Sequence, residues 1–319
     1  MLYGLIGEKL GHSYSPEIHR KIGDYPYLLK ELRPDELEGF FRERSFSGIN
    51  VTIPYKEVCI PYLDEITEGA KRIGAVNTVI RRGDKLIGDN TDFYGMRELI
   101  RHAEVTLAGK KVLILGTGGT SKTAFAVAES LGAREILTVS RFRKKDSITY
   151  CEALLNHRDA EILINATPVG MYPDEDAVPI DVVPFERLEA VIDAIYHPLR
   201  TELVLRAEER GIKAFGGLYM LAAQAVMASA LFFDRQFDPA EADRVYRAVL
   251  REKEYLILTG GSALSRCAYG KCLAEKEGRP FSDAADALPG SVISVETVSR
   301  SLLRNGRIIS AEVYSRDEV

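Results

Sequence analysis

Short apolar runs alternate along the chain with longer stretches in which apolar residues recur at helical spacing. This alternation predicts an α/β protein, because buried strands read as apolar runs and surface helices as amphipathic stretches. In the first part of the chain it predicts strands over Leu2–Ile6, Tyr27–Leu32 and Ile49–Ile53, and a hairpin over Ala75–Ile80 and Lys85–Gly88. It predicts a helix from Pro16 with Ser15 as its N-cap, and a helix from Arg33 with Phe40 and Phe41 on its inner face. Two further helices are predicted over Leu63–Ile73, which ends at Gly74, and over Phe93–His102.

After residue 103 the pattern becomes strand, glycine turn, helix and strand. The strand Lys110–Leu115 runs into Gly116-Thr-Gly118-Gly119, and a helix of small residues and the strand Glu135–Val139 follow. In a doubly wound sheet, such a turn lets a pyrophosphate approach the backbone at a helix N-terminus. Further strands are predicted over Glu161–Ile164, Ala190–Ala194 and Ile212–Phe215, and further helices over Leu218–Phe233 and Asp238–Arg251.

The length of 319 residues and these patterns together predict three units. Residues 1–103 form an N-terminal α/β domain, which helices at about 219–250 complete. Residues 104–218 form a Rossmann-like, doubly wound cofactor-binding domain. Residues 251–319 form a C-terminal extension.

Composition and charge exclude several classes of function. The net charge of −5 provides no basic field for nucleic acid or an anionic membrane. No apolar run approaches the roughly 20 residues that span a bilayer, and the start of the chain lacks the basic flank of a signal peptide. The four cysteines and five histidines are scattered, so we expect no metal site, reduced thiols and a cytoplasmic location.

The basic residues after the second strand of the cofactor domain decide which dinucleotide is expected. An NAD site usually has an acidic residue there, which accepts a hydrogen bond from the ribose 2′-hydroxyl. This chain instead has Ser140 and Arg141 followed by further cations, and a guanidinium suits a 2′-phosphate by charge and geometry. The sequence therefore predicts NADP, with a solvated basic loop as the alternative.

Two stretches of the first unit carry candidate chemistry. Ser13 and Ser15 flank a helix start, where a carboxylate can bind, although plain helix capping would also account for Ser15. The strand that ends at Pro54 delivers Lys56, with the Thr52 hydroxyl four positions earlier. A lysine at a strand end can hold a substrate or move a proton, and the alternative is a solvated side chain.

The order and spacing of these motifs resemble the shikimate dehydrogenase family over roughly residues 1–250. The matching motifs are Ser13-x-Ser15-Pro16, Asn50-Val-Thr52-x-Pro-x-Lys56, Gly74-Ala-Val-Asn77-Thr78, Asp89-Asn90-Thr91-Asp92-x-x-Gly95, the turn at Gly116, Asn165-Ala-Thr-Pro, and Gly217-Leu-x-Met220 with Gln224.

The resemblance implies that residues 1–103 are the substrate-binding and catalytic domain, and it implies roles for individual residues. It implies that Lys56 and Asp92 are the catalytic pair. It implies that Ser13 and Ser15 bind the substrate carboxylate. It implies further substrate contacts for Thr52, Asn77, Tyr196 and Gln224. It implies cofactor contacts for Gly116, Gly118, Gly119, Ser140, Arg141, Thr167, Gly217 and Met220.

The implied activity is reversible, NADP-dependent reduction of 3-dehydroshikimate to shikimate, a step of chorismate and aromatic amino acid biosynthesis, by a monomer or homodimer. Two departures bear on this expectation. The family's Asn-Arg-Thr is Ser140-Arg141-Phe142 here, which removes one hydroxyl near the phosphate, and Ser15 in place of a threonine favours shikimate over quinate. The alternatives are a quinate/shikimate dehydrogenase that uses NAD, and an inactive metabolite-binding regulator.

The extension resembles the opening of shikimate kinase in degenerate and truncated form. The strand Tyr255–Thr259 is followed by a glycine-serine loop and a helix to about Glu277. Against the phosphate-loop pattern, Ser265 replaces a glycine, Arg266 the lysine and Cys267 the magnesium-binding hydroxyl residue. We therefore do not expect a bifunctional dehydrogenase–kinase, and interpret the extension as a remnant of a fusion or as a packing and oligomerisation element.

Overall fold

The computed structural model describes residues 3–11, 13–144, 146–259, 263–282, 287–295 and 298–310. The described residues form three sheets with helices packed against them. The predicted α/β class, with a substrate domain followed by a Rossmann-like domain, is confirmed. Among the described helices, none is both long and apolar enough to cross a membrane.

The first sheet has six strands in the order β2-β1-β3-β5-β6-β4. Its unit consists of β1 (Tyr3–Gly7), α1 (Ser15–Ile22), β2 (Leu28–Glu31), α2 (Leu37–Glu43), β3 (Gly48–Val51), α3 (Tyr55–Val58), β4 (Glu65–Ile66), α4 (Glu68–Ile73), β5 (Thr78–Arg82), β6 (Lys85–Asp89) and α5 (Thr91–His102), with 3-10 turns at Pro34–Glu36 and Ile60–Tyr62. The predicted hairpin is β5–β6, and Gly83 in its turn has a φ of +60°.

Two local predictions for this unit are wrong. Ser15 is not an N-cap, because the helix begins at Ser15 itself and the Ser15 N–H donates to the Ser13 hydroxyl at 3.2 Å. The helix predicted over Leu63–Ile73 begins only at Glu68, where Thr67 caps it by accepting from the Ala70 N–H. The residues before it form the edge strand β4, because Glu65 and Ile66 pair with β6. Strand pairing thus overrides the helical pattern of that stretch.

The second sheet also has six strands, all parallel, in the order β12-β11-β10-β7-β8-β9. Its elements are β7 (Lys111–Leu115), α6 (Gly119–Ser130), β8 (Glu135–Ser140), β9 (Ile148–Thr149), α7 (Tyr150–Asn156), β10 (Ile162–Asn165), β11 (Ala190–Asp193), α8 (Glu202–Glu209) and β12 (Lys213–Phe215), after which α9 (Leu218–Phe232) and α10 (Pro239–Lys253) return to the first unit. This is the doubly wound arrangement that the glycine turn predicts.

One hydrophobic cluster joins the first two units. It contains Met96 and Leu99 of α5, Ile114 of β7, Ala223 of α9 and Val245 of α10. The helix α9 is apolar and buried on nearly all sides, as expected for a helix in the middle of a protein. Because these helices pack against one face of the second sheet, they hold the two units on either side of a cleft.

Replacing Gly95 with alanine is expected to lower the free energy of unfolding by about 1–3 kcal/mol, because it overpacks the contact between α5 and α9. An added Cβ at Gly95 would lie 2.6 Å from the Met220 carbonyl oxygen. The matched control is Gly69→Ala, since Gly69 also lies in a helix and its added Cβ meets nothing within 4 Å. Urea unfolding should show Gly69→Ala unchanged or slightly stabilised, and equal losses in both variants would contradict this account.

The extension forms a third sheet, all parallel, in the order β14-β15-β13-β16. Its elements are β13 (Tyr255–Thr259), α11 (Ala263–Glu277), β14 (Phe281–Ser282), β15 (Val292–Ser294), α12 (Arg300–Asn305) and β16 (Gly306–Ser310). The predicted strand and helix are present, while Gly260–Ser262 of the predicted loop lie outside the described residues. Leu258 and Ile257 of the central strand enter two separate apolar clusters, so both faces of this sheet are covered.

Candidate active site

A cleft of about 680 Å³ lies between the first and second units. Loops at the ends of strands in both units and one face of α9 line it. The predicted site residues that line it are Ser13, Ser15, Thr52, Lys56, Asn77, Asp92, Tyr196, Gly217, Met220 and Gln224. Residues from distant parts of the chain thus converge on one cavity, at the carboxyl ends of strands, where ligands bind in open α/β sheets.

Lys56 and Asp92 form an ion pair at the wall of this cleft. Lys56 Nζ lies 2.6 Å from Asp92 Oδ2, and the two side chains are 24% and 14% exposed. Lys56 lies in the short helix α3, and its carbonyl accepts from the Val76 N–H at 2.7 Å. Asp92 lies in the first turn of α5, where Asn90 is the N-cap and accepts from the Phe93 N–H. Both backbones are therefore held, and the pair is positioned before any ligand binds.

Ser13, Ser15 and Thr52 line the same cleft as this pair. Ser13 and Ser15 are half-buried residues of the loop and first turn of α1, and both residues border the cleft. Thr52 follows β3 directly, and its N–H donates to the Ile6 carbonyl at 2.9 Å. An added Cβ on Gly7 would lie 2.7 Å from Thr52 Cγ2, so a glycine at position 7 leaves room for this threonine.

A buried hydrogen-bond network holds the amides of Asn77 and Gln224. Asn77 Oδ1 accepts from the Thr91 N–H at 2.6 Å and from the Thr78 hydroxyl at 3.1 Å. The Thr91 hydroxyl lies 3.5 Å from Gln224 Oε1, and Gln224 Nε2 donates to the Leu221 carbonyl at 2.9 Å. Because Asn77 Oδ1 is engaged, Asn77 can offer its Nδ2 donor to a ligand in the cleft.

The prediction from sequence did not include Asn50, which also lines the cleft. Asn50 Oδ1 accepts from the Tyr27 hydroxyl at 2.7 Å, and Asn50 Nδ2 donates to Thr78 Oγ1 at 3.0 Å. His19 stacks on Tyr27 with ring centroids 3.7 Å apart, and burial lowers the pKa of His19 to about 3, so the ring is neutral at pH 7. The signal in the sequence was the position of Asn50 at the head of the motif that contains Thr52 and Lys56.

The glycine turn after β7 leaves room for a phosphate group. Gly116 has a φ of +108°, and an added Cβ there would lie 3.1 Å from the Ala166 carbonyl oxygen. Added Cβ atoms on Gly118 and Gly119 would meet nothing within 4 Å, so the space in front of the N-terminus of α6 is open. The turn is closed by Ser121, whose hydroxyl donates to the Gly116 carbonyl at 2.7 Å.

The basic loop after β8 lies next to this turn, because β7 and β8 are neighbours in the sheet. Ser140 is the buried last residue of β8, and Arg141 directly after it is exposed. Lys144 Nζ donates to Thr117 Oγ1 of the glycine turn at 2.8 Å. Arg143 instead pairs with Glu152 of α7 at 3.1 Å. The loop therefore places cations at the edge of the predicted cofactor site.

Two further loops of the second unit are held by Asn165. Asn165 Oδ1 accepts from the Thr167 hydroxyl at 2.7 Å, and Asn165 Nδ2 donates to the buried Asp193 at 3.0 Å. Asp193 also accepts from the Ile195 N–H and the Thr201 hydroxyl, and burial raises its pKa to about 6. Asp193 was not predicted as a site residue, and it holds the loop that carries Tyr196.

Contacts across the cleft bring the two units together at Tyr196. The ring of Tyr196 lies 5.4 Å from that of Tyr14, and Tyr14 Oη lies 3.1 Å from His197 Nδ1. Gly217 is required where the cleft narrows, since an added Cβ would lie 2.2 Å from the Ala194 carbonyl oxygen. Among the residues that the structure describes, no group of three or more His, Cys, Asp or Glu side chains could hold a metal ion.

A family model described as "Shikimate dehydrogenase substrate binding domain" matches residues 5–79. A "Shikimate dehydrogenase (NADP(+))" of Clostridium perfringens is 35% identical over 262 residues, which cover 77% of this chain and 97% of that protein.

This chain is also similar to solved structures of shikimate dehydrogenases. A chorismate mutase/shikimate 5-dehydrogenase fusion protein from Clostridium acetobutylicum superposes with a TM-score of 0.74 at 33% identity, covering 78% of this chain and 96% of that one. Shikimate 5-dehydrogenase from Thermus thermophilus, in complex with NADP(H) and shikimate, has a TM-score of 0.70 at 30% identity, covering 78% of this chain and 99% of that one.

Proposed function

This chain belongs to the shikimate dehydrogenase family, and we propose that Lys56 and Asp92 are the pair with which it carries out the family's reaction. It is an NADP-dependent oxidoreductase that reversibly reduces 3-dehydroshikimate to shikimate, in chorismate and aromatic amino acid biosynthesis. The observation that supports the roles of Lys56 and Asp92 is their 2.6 Å ion pair inside the cleft between the two units.

The second unit fits NADP at three places. The open space in front of Gly118 and Gly119 accommodates a pyrophosphate at the N-terminus of α6. Ser140 ends β8 and Arg141 follows it, at the strand end where the 2′-phosphate of the adenosine would lie. Thr167, Gly217 and Met220 lie where the nicotinamide half would enter the cleft, and NADPH supplies the hydride when it is bound.

The residues of the first unit account for the proton that ketone reduction requires. The substrate oxygen gains a proton as its carbon gains the hydride, and a positioned ammonium group can stabilise the developing negative charge and donate that proton. Asp92 orients the Lys56 side chain through their 2.6 Å contact and can pass a proton to or from it. In the direction of shikimate oxidation, the same pair accepts the proton of the hydroxyl group.

The remaining polar residues suit a polyhydroxylated carboxylic acid. The hydroxyls of Ser13 and Ser15, at the N-terminus of α1, form the proposed carboxylate site. Thr52, Asn77 and Gln224 supply fixed partners for ring hydroxyls, and Tyr196 covers the cleft from the second unit. Buried polar partners of this kind discriminate strongly against ligands that lack a matching hydroxyl.

The assay that tests this function uses the purified protein with shikimate and either NADP or NAD, followed by the absorbance of the reduced nicotinamide. We expect turnover with NADP and much less with NAD. Turnover with NAD alone would favour the quinate/shikimate alternative, and no turnover with either would favour a metabolite-binding regulator. Phosphorylation of shikimate in the presence of ATP would contradict our interpretation of the extension.

We further propose a division into a substrate domain over residues 1–103 with helices at about 219–250, an NADP domain over residues 104–218 and an extension over residues 251–319. The proposed setting is the cytoplasm, and the proposed assembly is a monomer or homodimer. The cleft within a single chain supports a catalytically complete monomer, because residues from one chain supply every proposed site.

A further inference from the structure

We propose that the extension positions two loops of the substrate cleft, and that Arg304 is the residue through which it does so. The proposal concerns the cleft of the proposed dehydrogenase and therefore rests on that function. It makes Arg304 a positioning residue, since Arg304 itself does not line the cleft.

The side chain of Arg304 contacts carboxylates of the second unit. It lies near the end of α12, and its side chain is only 7% exposed. Its guanidinium lies 2.5 Å from Asp176 Oδ1 and 3.3 Å from Glu202 Oε2, with Glu175 at 3.8 Å. These carboxylates belong to two different segments of the second unit. The guanidinium is buried although the Asp176 side chain is 92% exposed. Its charge-assisted hydrogen bonds join the two segments at one point.

Backbone contacts at the same place add to this attachment. The Arg200 N–H donates to the Arg304 carbonyl at 2.8 Å, and the Leu199 N–H donates to Asn305 Oδ1 at 3.1 Å. Residues 199 and 200 come shortly after Tyr196 and His197, both of which line the cleft. The end of α12 therefore holds this loop directly outside the cavity.

The second loop is the one that carries Met171 and Tyr172 into the cleft. It continues to Asp176, which pairs with Arg304. The two loops are joined to each other, since the Tyr172 N–H donates to the His197 carbonyl at 3.2 Å and the two rings lie 5.3 Å apart. Both loops on this wall of the cleft are thus anchored to α12 just behind their cleft-lining residues.

A second arginine of α12 makes a different contact. Arg300 donates to both oxygens of Glu202, at 3.0 and 2.9 Å, and pairs with Glu209. Glu202 and Glu209 lie in α8, and Arg300 lowers the pKa of Glu202 to about 2. Arg300 therefore docks the extension on α8 without an ion pair to either loop. The chain thus provides an internal control that separates docking from loop positioning.

The expected consequence is a rise in KM without a matching loss in kcat. Loosened loops must be ordered each time the substrate binds, and this ordering entropy weakens binding. Lys56 and Asp92 belong to the first unit, so the pair that transfers the proton keeps its geometry. For Arg304→Met we expect KM for shikimate to rise about 5- to 30-fold with kcat within about twofold of the wild type, the signature of lost uniform binding.

The experiment compares five variants of the full chain at saturating NADP. Arg304→Met and Asn305→Ala should raise KM for shikimate, and Arg304→Lys should lie between Arg304→Met and the wild type. Arg300→Met should lower the melting temperature and leave KM unchanged. Arg307→Met is the matched control, because Arg307 belongs to the same unit, is 64% exposed and faces Glu254 at 3.8 Å instead of the loops.

Hydrogen exchange gives a readout that does not depend on activity. In Arg304→Met the amides of residues 171–176 should exchange faster, and in Asn305→Ala those of residues 195–200 should, while the amides of α5 and β7 should not change in either variant. An unchanged KM and unchanged exchange in both Arg304→Met and Asn305→Ala would overturn the proposal, and so would an equal rise in KM for Arg300→Met. If the wild type lacked turnover altogether, the proposed function would fail, while the exchange result would still decide the role of Arg304.

Discussion

Replacing Lys56 with methionine is expected to lower kcat for shikimate oxidation by about 10²- to 10⁴-fold, the range that a positioned acid–base group contributes. Methionine keeps the length and apolar body of the lysine stem and removes only the ammonium group. The protein should stay folded, because the side chain lies at the wall of an open cleft and is not part of a packed core. Steady-state kinetics with NADP measure the effect, and circular dichroism checks the fold.

The matched control for this change is Lys71→Met. Lys71 pairs with Glu68 at 2.7 Å, as Lys56 pairs with Asp92, but Lys71 lies on the exposed face of α4. We expect kcat within about twofold of the wild type for this variant, because surface ion pairs contribute little. Retained turnover in Lys56→Met would show that the assigned role of Lys56 is wrong.

The same kinetics distinguish the roles of the two members of the pair. If Lys56 and Asp92 act as a unit, the double variant Lys56→Met with Asp92→Asn should be little slower than Lys56→Met alone. Losses that multiply would instead indicate two independent contributions. The 2.6 Å contact between Nζ and Oδ2 leads us to expect the first result.

Replacing Arg141 with alanine is expected to raise KM for NADP by about 10- to 100-fold, because a hydrogen bond to a charged group contributes about 1.5–3 kcal/mol. KM for NAD should stay nearly unchanged, since NAD carries no 2′-phosphate. The preference for NADP over NAD should therefore fall by about the same factor. Initial rates at saturating shikimate, measured over a range of NADP or NAD concentrations, give the two KM values.

Arg143→Ala is the control on the same loop. Arg143 is occupied by Glu152 at 3.1 Å, so its loss removes an equal charge without a proposed phosphate contact. We expect a small change in KM for this variant, equal for NADP and NAD. If Arg143→Ala changed the preference as much as Arg141→Ala, the loop would act through its general positive field, and the specific role of Arg141 would be contradicted.

The sequence by itself was enough to predict the two-unit α/β architecture and most of the cleft. Apolar runs followed by glycines, serines or lysines mark strand ends, and the carboxyl ends of parallel strands meet at one edge of a sheet. Ser13, Thr52 and Lys56 were assigned to one site because the order and spacing of their motifs resemble those of the shikimate dehydrogenase family. The hairpin at Gly83 was also predictable, because its turn needs a residue with positive φ.

Tertiary contacts decided what local pattern could not. The stretch before α4 forms β4 because it pairs with β6, and the strands β15 and β16 of the extension likewise depend on β13 as their partner. The polar network under Asn77 and the buried Asp193 depend on which side chains face each other after folding. Periodicity reports which face of an element is apolar, but not which polar groups that face will meet.

The stretch from Asn50 to Lys56 shows most clearly what the sequence determined, and the extension shows what only the tertiary structure decided. For the stretch, the sequence determined residue types and their spacing, and the structure added the 2.6 Å contact with Asp92 and the Asn50 network. For the extension, the sequence determined only a strand and a helix. The contact between Arg304 and Asp176 joins residues 128 positions apart. Such a contact leaves no local signal in the chain, because it depends on how two separately folded sheets pack together.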